Sequence, residues 1–153
     1  MDGNINTIIT ITIIIMVSIA ALIFCLLLFL QARRRKSQEI DLMEGHEFEY
    51  YCAELLKGRG FQEVEVTVGS GDYGIDILAE KEGVTYAIQC KRYTSPVGVK
   101  AVQEAYAGRD YYDRMVGAVL TNQYFTAPAV KAAKKLKILL WDRGYLERME
   151  EEN

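Results

Sequence analysis

The sequence predicts an α/β domain, a mixed β-sheet flanked by helices in the order αβββαβαβ, behind one N-terminal helix able to cross a membrane. Three observations predict it. Ile8 to Leu30 is a run of 23 residues without a charge. Beyond it, apolar residues recur at helical spacing in some segments and alternate over short runs in others. Late in the chain the continuously apolar MVGAVL suits a strand covered on both faces.

The N-terminal run is long enough to span a bilayer. At 1.5 Å per residue, 23 helical residues rise about 34 Å against a hydrocarbon core of about 30 Å. Arg33, Arg34, Arg35 and Lys36 follow at once, and such a basic flank marks the cytoplasmic side. The expectation is a single-pass cell-membrane protein with its N-terminus outside and the rest in the cytoplasm. A cleaved signal peptide would need a basic segment before the run and small residues at a cleavage site, and neither is present. Residues 31–40 read as a basic juxtamembrane linker, 41–147 as the folded domain and 148–153 as an acidic tail.

The whole chain has 153 residues, with 18 Lys and Arg against 21 Asp and Glu. Without the span, 123 residues remain with 18 basic and 20 acidic side chains, enough for one domain with a core. That balance neither supports nor excludes nucleic-acid binding, so any such role must rest on a site. Three separated cysteines and a single histidine exclude a disulfide scaffold or a zinc site.

Within the domain, Asp41 and Glu44 have the spacing of a capping box. Phe48, Tyr51, Cys52, Leu55 and Leu56 then repeat as one helix face, about 43–57, until Gly58 and Gly60. Val64 to Val68 alternates. Tyr73 to Lys81 and Val84 to Arg92 are β-rich runs joined by Glu82-Gly83, a hairpin turn. Val97 to Tyr112 is helical, and Met115 to Thr121 is a strand. Thr126 caps a helix with Pro128 in its first turn, and Ile138 to Asp142 is the last strand. Gly69, Gly71 and Gly74 surround Asp72, and loop flexibility accounts for them.

Polar residues interrupt the central strands where packing alone would favour apolar ones. Asp76 stands between Ile75 and Ile77. Gln89 and Lys91 are two apart in a strand and share a face, so Asp76, Gln89 and Lys91 can converge across the hairpin. An acid, an amide oxygen and an ammonium suit phosphodiester hydrolysis, in which a hard cation takes oxygen ligands and a water is positioned. Spacing alone fits a surface acid paired with Lys91 equally well.

An Asp followed by a β-hairpin and (D/E/Q)xK resembles the PD-(D/E)XK nuclease superfamily. IDI with QCKRY is similar, more narrowly, to the Mrr-like catalytic domain of type IV restriction endonucleases, which carries Gln in place of the usual acid. The resemblance runs from Leu42 to Leu146 and takes in GHEFEYYCAELLKGRGF, VGVKAVQEAYAG, GAVLTN with FTAPAVKAA, and ILLWDRGYL in order. It implies a restriction-endonuclease-like fold and Mg²⁺-dependent cleavage of DNA, with Mn²⁺ as a substitute. Asp76, Gln89 and Glu49 would hold the cation, with the Cys90 backbone carbonyl as a further ligand. Lys91 would stabilise charge on the phosphate, because an ordinary lysine is a poor base at neutral pH. Arg92, Tyr93, Lys100 and Gln103 would contact DNA.

Cutting both strands takes two sites, so a homodimer is expected. Two rivals stand beside this reading: a membrane-tethered DNA-binding module that has lost turnover, and a junction-resolving or repair nuclease. His46 has no Cys or His partner near it and reads as a structural or exposed residue. Lys131, Lys134, Lys135 and Lys137 read as the solvated face of their helix.

Overall fold

The computed structural model describes residues 2–67 and 73–151, without the side chains of 2–6, 8 and 33–37. Two compact units divide at Glu39 and Ile40. Helix α1 covers Asp2–Leu42. Its segment Ile9–Ala32 has 24 residues, a mean hydropathy of 3.2 and no burial inside the protein, so length and composition allow it to cross a membrane. The stretch read as a linker is helical throughout. Its Gln, Ala, Arg, Lys and Glu residues are good helix formers, and no Gly or Pro interrupts them.

The second unit runs α2 (Gly45–Gly58), β1 (Gln62–Val66), β2 (Ile77–Lys81), β3 (Val84–Lys91), α3 (Val99–Tyr111), β4 (Val116–Thr121), α4 (Ala127–Leu136), β5 (Ile138–Trp141) and α5 (Arg143–Glu151). The sheet order is β1-β2-β3-β4-β5. The first three strands are antiparallel, and β3, β4 and β5 are parallel, so the sheet is mixed as expected. The hairpin turn falls at Glu82-Gly83, both left-handed at φ 54° and 78°, the geometry of a two-residue turn matched to strand twist.

Helix α2 packs Phe48, Cys52, Leu55 and Leu56 into a core with Ile77, Ile88, Leu120 and Trp141. It ends in a Schellman motif: Phe61 N–H donates to the Leu56 carbonyl at 3.1 Å, and Gly60, at φ 80°, donates to Lys57 at 3.0 Å. On the other side of the sheet, Val97, Ala101, Val102 and Ala105 pack with Val119, Ala129, Ala133 and Ile138. The alternation along β4 therefore feeds two cores, Ala118 and Leu120 one and Val119 the other.

Several boundaries differ from the sequence reading for local reasons. The capping box at α2 is formed by Glu44 and Glu47. Asp41 instead pairs with Arg143, 102 residues away. Strand β2 begins at Ile77, because Tyr73 and Gly74 are both left-handed and form a turn. Val68, Gly69, Gly71 and Asp72 lie outside the described residues. The acidic tail is mostly the end of α5, where Leu146 and Met149 are buried and Glu150 accepts from the Tyr51 hydroxyl. Residues 152–153 lie outside the described part. Thr126 caps α4 as expected, its side chain accepting from Ala129 N–H.

Candidate active site

The candidate site lies where β2 starts and β3 ends. Asp76 N–H donates to the Ile88 carbonyl at 3.0 Å, while Asp76 Oδ2 accepts from Cys90 N–H at 2.6 Å. A side chain thus takes the place of the next rung of the ladder. That charge-assisted bond fixes the carboxylate against the backbone between Gln89 and Lys91.

Gln89 is 1% exposed, on the α3 side of the sheet. Its Nε2 donates to Glu104 Oε2 at 2.8 Å, and its Oε1 is buried with no partner among the described residues. Lys91 Nζ lies 3.2 Å from Glu104 Oε2, and Lys100 Nζ lies 3.6 Å from Glu104 Oε1. Burial alone would raise the Glu104 pKa. Hydrogen bonds from Gln89 and Lys91, with the charges of Lys91 and Lys100, outweigh that and hold it below the ordinary glutamate value.

Glu104 is the site residue that sequence reasoning missed. It stands three residues after Ala101 and four before Gly108, both buried, so it shares the packed face of α3. That spacing was the available signal. Its neighbour Gln103 is exposed, and Lys100 enters the cluster through Glu104. Gly74 makes room beside the pair: a Cβ there would lie 3.0 Å from Gln89 Nε2 and 3.2 Å from Glu104 Cβ, at φ 77°.

Glu49 projects from α2. Its Oε2 lies 2.6 Å from His46 Nδ1, with His46 largely exposed. The Cys90 thiol is pushed well above its ordinary pKa by contact with the Cys52 thiol, by burial, and by the negative charges of Asp76 and Glu49. A thiol raised in this way is protonated near neutral pH.

Strand β3 ends at Lys91. The charge of Arg92 acts on Asp41, and its Nε is buried without a partner among the described residues. Arg92, Tyr93, Thr94 and Ser95 line an open depression of about 350 Å³. Asn122, fully buried, clamps this loop, accepting from Tyr93 N–H at 2.9 Å and donating to its carbonyl at 3.0 Å. The same amide donates to Asp41 Oδ1 at 2.7 Å, and Arg143 grips both Asp41 oxygens at 3.0 Å.

Among the described residues no three His, Cys, Asp or Glu side chains are grouped to hold a metal ion. Asp76 and Gln89 each adjoin the Ile77–Ile88 pair at the end of the ladder, and an orphaned amide oxygen with a carboxylate is a donor set that fits a hard cation, which takes neutral and charged oxygens alike.

The mixed sheet flanked by helices, with an acid, a buried amide and a lysine at the junction of its central hairpin, has a restriction-endonuclease-like fold. The chain belongs to the restriction endonuclease family Mrr_cat, which matches residues 40–149. Among solved structures, a protein of unknown function, AF1548, is 26% identical over 67% of this chain, with a TM-score of 0.58. The MspJI restriction endonuclease, in complex with a 27-mer oligonucleotide, is 18% identical over 78% of this chain (TM-score 0.55). The DNA modification-dependent restriction endonuclease AspBHI is 17% identical over 78% (TM-score 0.57). The matches span 60%, 30% and 34% of those three chains' own lengths. No curated protein matches the sequence.

Proposed function

We propose that this protein is a membrane-anchored, metal-dependent DNA endonuclease acting in restriction. The observation that carries the reading is the fixing of Asp76 against the amide of Cys90, whose chain neighbours are a buried Gln89 with a partnerless acceptor oxygen and Lys91. Asp76, Gln89 Oε1 and the Cys90 carbonyl would hold Mg²⁺ or Mn²⁺, with Glu49 from the other side of the hairpin. When bound, the cation would polarise the phosphate and lower the pKa of water. Lys91 supplies a fixed positive charge where negative charge develops on the scissile phosphate, an electrostatic role. Arg92, Tyr93, Lys100 and Gln103 supply contacts to the DNA backbone, which position a duplex without reading its sequence. Two copies acting together would cut both strands.

The anchor is argued from Ile9–Ala32, whose apolar side chains are unburied, and from the Arg33–Lys36 flank that directs the nuclease to the cytoplasm. Held there, the domain meets incoming DNA at its point of entry. Cell fractionation tests this: the chain should resist extraction by alkaline carbonate and dissolve in detergent. Recovery in the soluble fraction refutes the anchor.

The test of the activity is cleavage of methylated and unmethylated supercoiled plasmid by the full-length chain in detergent with Mg²⁺, beside Asp76→Ala and Lys91→Ala. Each substitution should lower the rate at least about 10²-fold, the usual cost of losing one such electrostatic group. Undiminished cleavage by either variant refutes the assignment. DNA binding with no cleavage on any substrate would favour the tethered binding module.

A further inference from the structure

A glutamine that stands where a nuclease would carry an acid has an orientation problem that the acid does not. A carboxylate presents oxygen whichever way it turns, whereas an amide presents oxygen on one side and NH₂, repelled by a cation, on the other. Gln89 is 1% exposed, so bulk water does not choose for it. Its NH₂ meets Glu104 at 2.8 Å, and its oxygen is left without a partner. An ionised carboxylate only accepts hydrogen bonds, so Glu104 admits the NH₂ and rejects the oxygen.

We propose that Glu104 is a positioning residue that locks the Gln89 amide with Oε1 turned toward the divalent-cation site, so that a neutral side chain serves as a ligand. The proposal rests on the metal-dependent reading given above and adds to it a residue outside the Asp76, Gln89, Lys91 motif. Two features hold the lock in place. Lys91 at 3.2 Å and Lys100 at 3.6 Å balance and restrain the Glu104 carboxylate. Behind it, Gly74 lets the backbone close on the pair, where a Cβ would stand 3.0 Å from the amide nitrogen.

Mn²⁺ binding without any turnover is the direct readout, measured by electron paramagnetic resonance of free Mn²⁺ with the full-length chain in detergent. Four proteins form a cycle: wild type, Glu104→Gln, Gln89→Glu and the double variant. With Gln89 present, Glu104→Gln should weaken Mn²⁺ binding 10–100-fold, the usual effect of losing an outer partner of a ligand. With Glu at position 89 the same change should cost less than about twofold, because a carboxylate has no wrong side. That non-additivity is the signature of orientation. Unfolding followed by Trp141 fluorescence confirms that each variant is folded.

An equal loss in both backgrounds, or none in either, overturns the role of Glu104. If Asp76→Ala still abolishes Mn²⁺ binding in that case, the nuclease reading stands and only the lock fails. A folded wild type that binds no Mn²⁺ refutes the cation site and the lock with it.

Discussion

Asn122→Ala should destabilise the domain by about 3 kcal/mol. The side chain is fully buried and makes three hydrogen bonds: two to the Tyr93 backbone at 2.9 and 3.0 Å, and one to Asp41 at 2.7 Å. Bonds between neutral groups contribute about 1 kcal/mol each, and one to a carboxylate about 1.5–3 kcal/mol. Their sum is near 4, and water entering beside the exposed Tyr93 loop returns part of it. Urea unfolding of the full-length chain in detergent, followed through its single tryptophan, is a suitable assay. Trp141 is buried and stacks on Tyr145 with ring centroids 5.3 Å apart, so its emission reports this unit. For an m-value of about 2 kcal/mol/M, the midpoint should fall by about 1.5 M. Asn122→Asp should fall at least as far, since it keeps one acceptor, loses both donors and sets a second carboxylate beside Asp41. A drop below about 0.4 M in Asn122→Ala would refute the clamp.

Gly108→Ala places a Cβ 2.3 Å from Ile75 Cγ1, and such overpacking should cost about 1–3 kcal/mol in the same urea assay. Gly45→Ala, where nothing lies within 4 Å of the added Cβ, should be neutral or stabilising by up to about 1 kcal/mol. Acid should weaken the Asp41 network. Burial raises the Asp41 pKa, but hydrogen bonds from Arg143 and Asn122, with the charges of Arg143 and Arg92, bring it below the ordinary 3.8. Its stabilisation is therefore present above that value and is lost as pH falls through the lower, folded pKa. Between pH 5 and 2.5 the wild-type midpoint should fall more steeply than that of Asp41→Asn, and parallel curves would refute it.

What was legible in the sequence was local. The Glu82-Gly83 turn, the two-residue spacing of Gln89 and Lys91, and the Thr126 cap all depend on near neighbours, and strand alternation places them with little help. Glu104 was not legible, because its partners are 15 and 13 positions back in the chain and meet it only when α3 lies across β3. Sequence reasoning chose the adjacent Gln103, which the helix turns to solvent. Asp41 looked like a helix cap for the same reason: its spacing to Glu44 was visible, and its grip on Arg143 was not. The last helix was hidden by composition, since its acidic residues read as a solvated end while Leu146 and Met149 carried the packing. In each case the missed feature is held by a contact across the fold.

The hairpin that carries the site works as a ruler. Five residue pairs, from Lys81 with Val84 to Ile77 with Ile88, separate the turn from Asp76 and Gln89. One residue inserted into the β3 arm exchanges the faces beyond it, sending Gln89 and Lys91 toward the core beneath α2 and bringing Ile88 and Cys90 out in their place, and one inserted into the β2 arm displaces Asp76 in the same way. Chain length can therefore drift only at Glu82-Gly83, the end farthest from the chemistry, while side chains along the arms vary within the limits of packing. Descendants of this protein should differ in what their hairpin is made of long before they differ in how long its arms are.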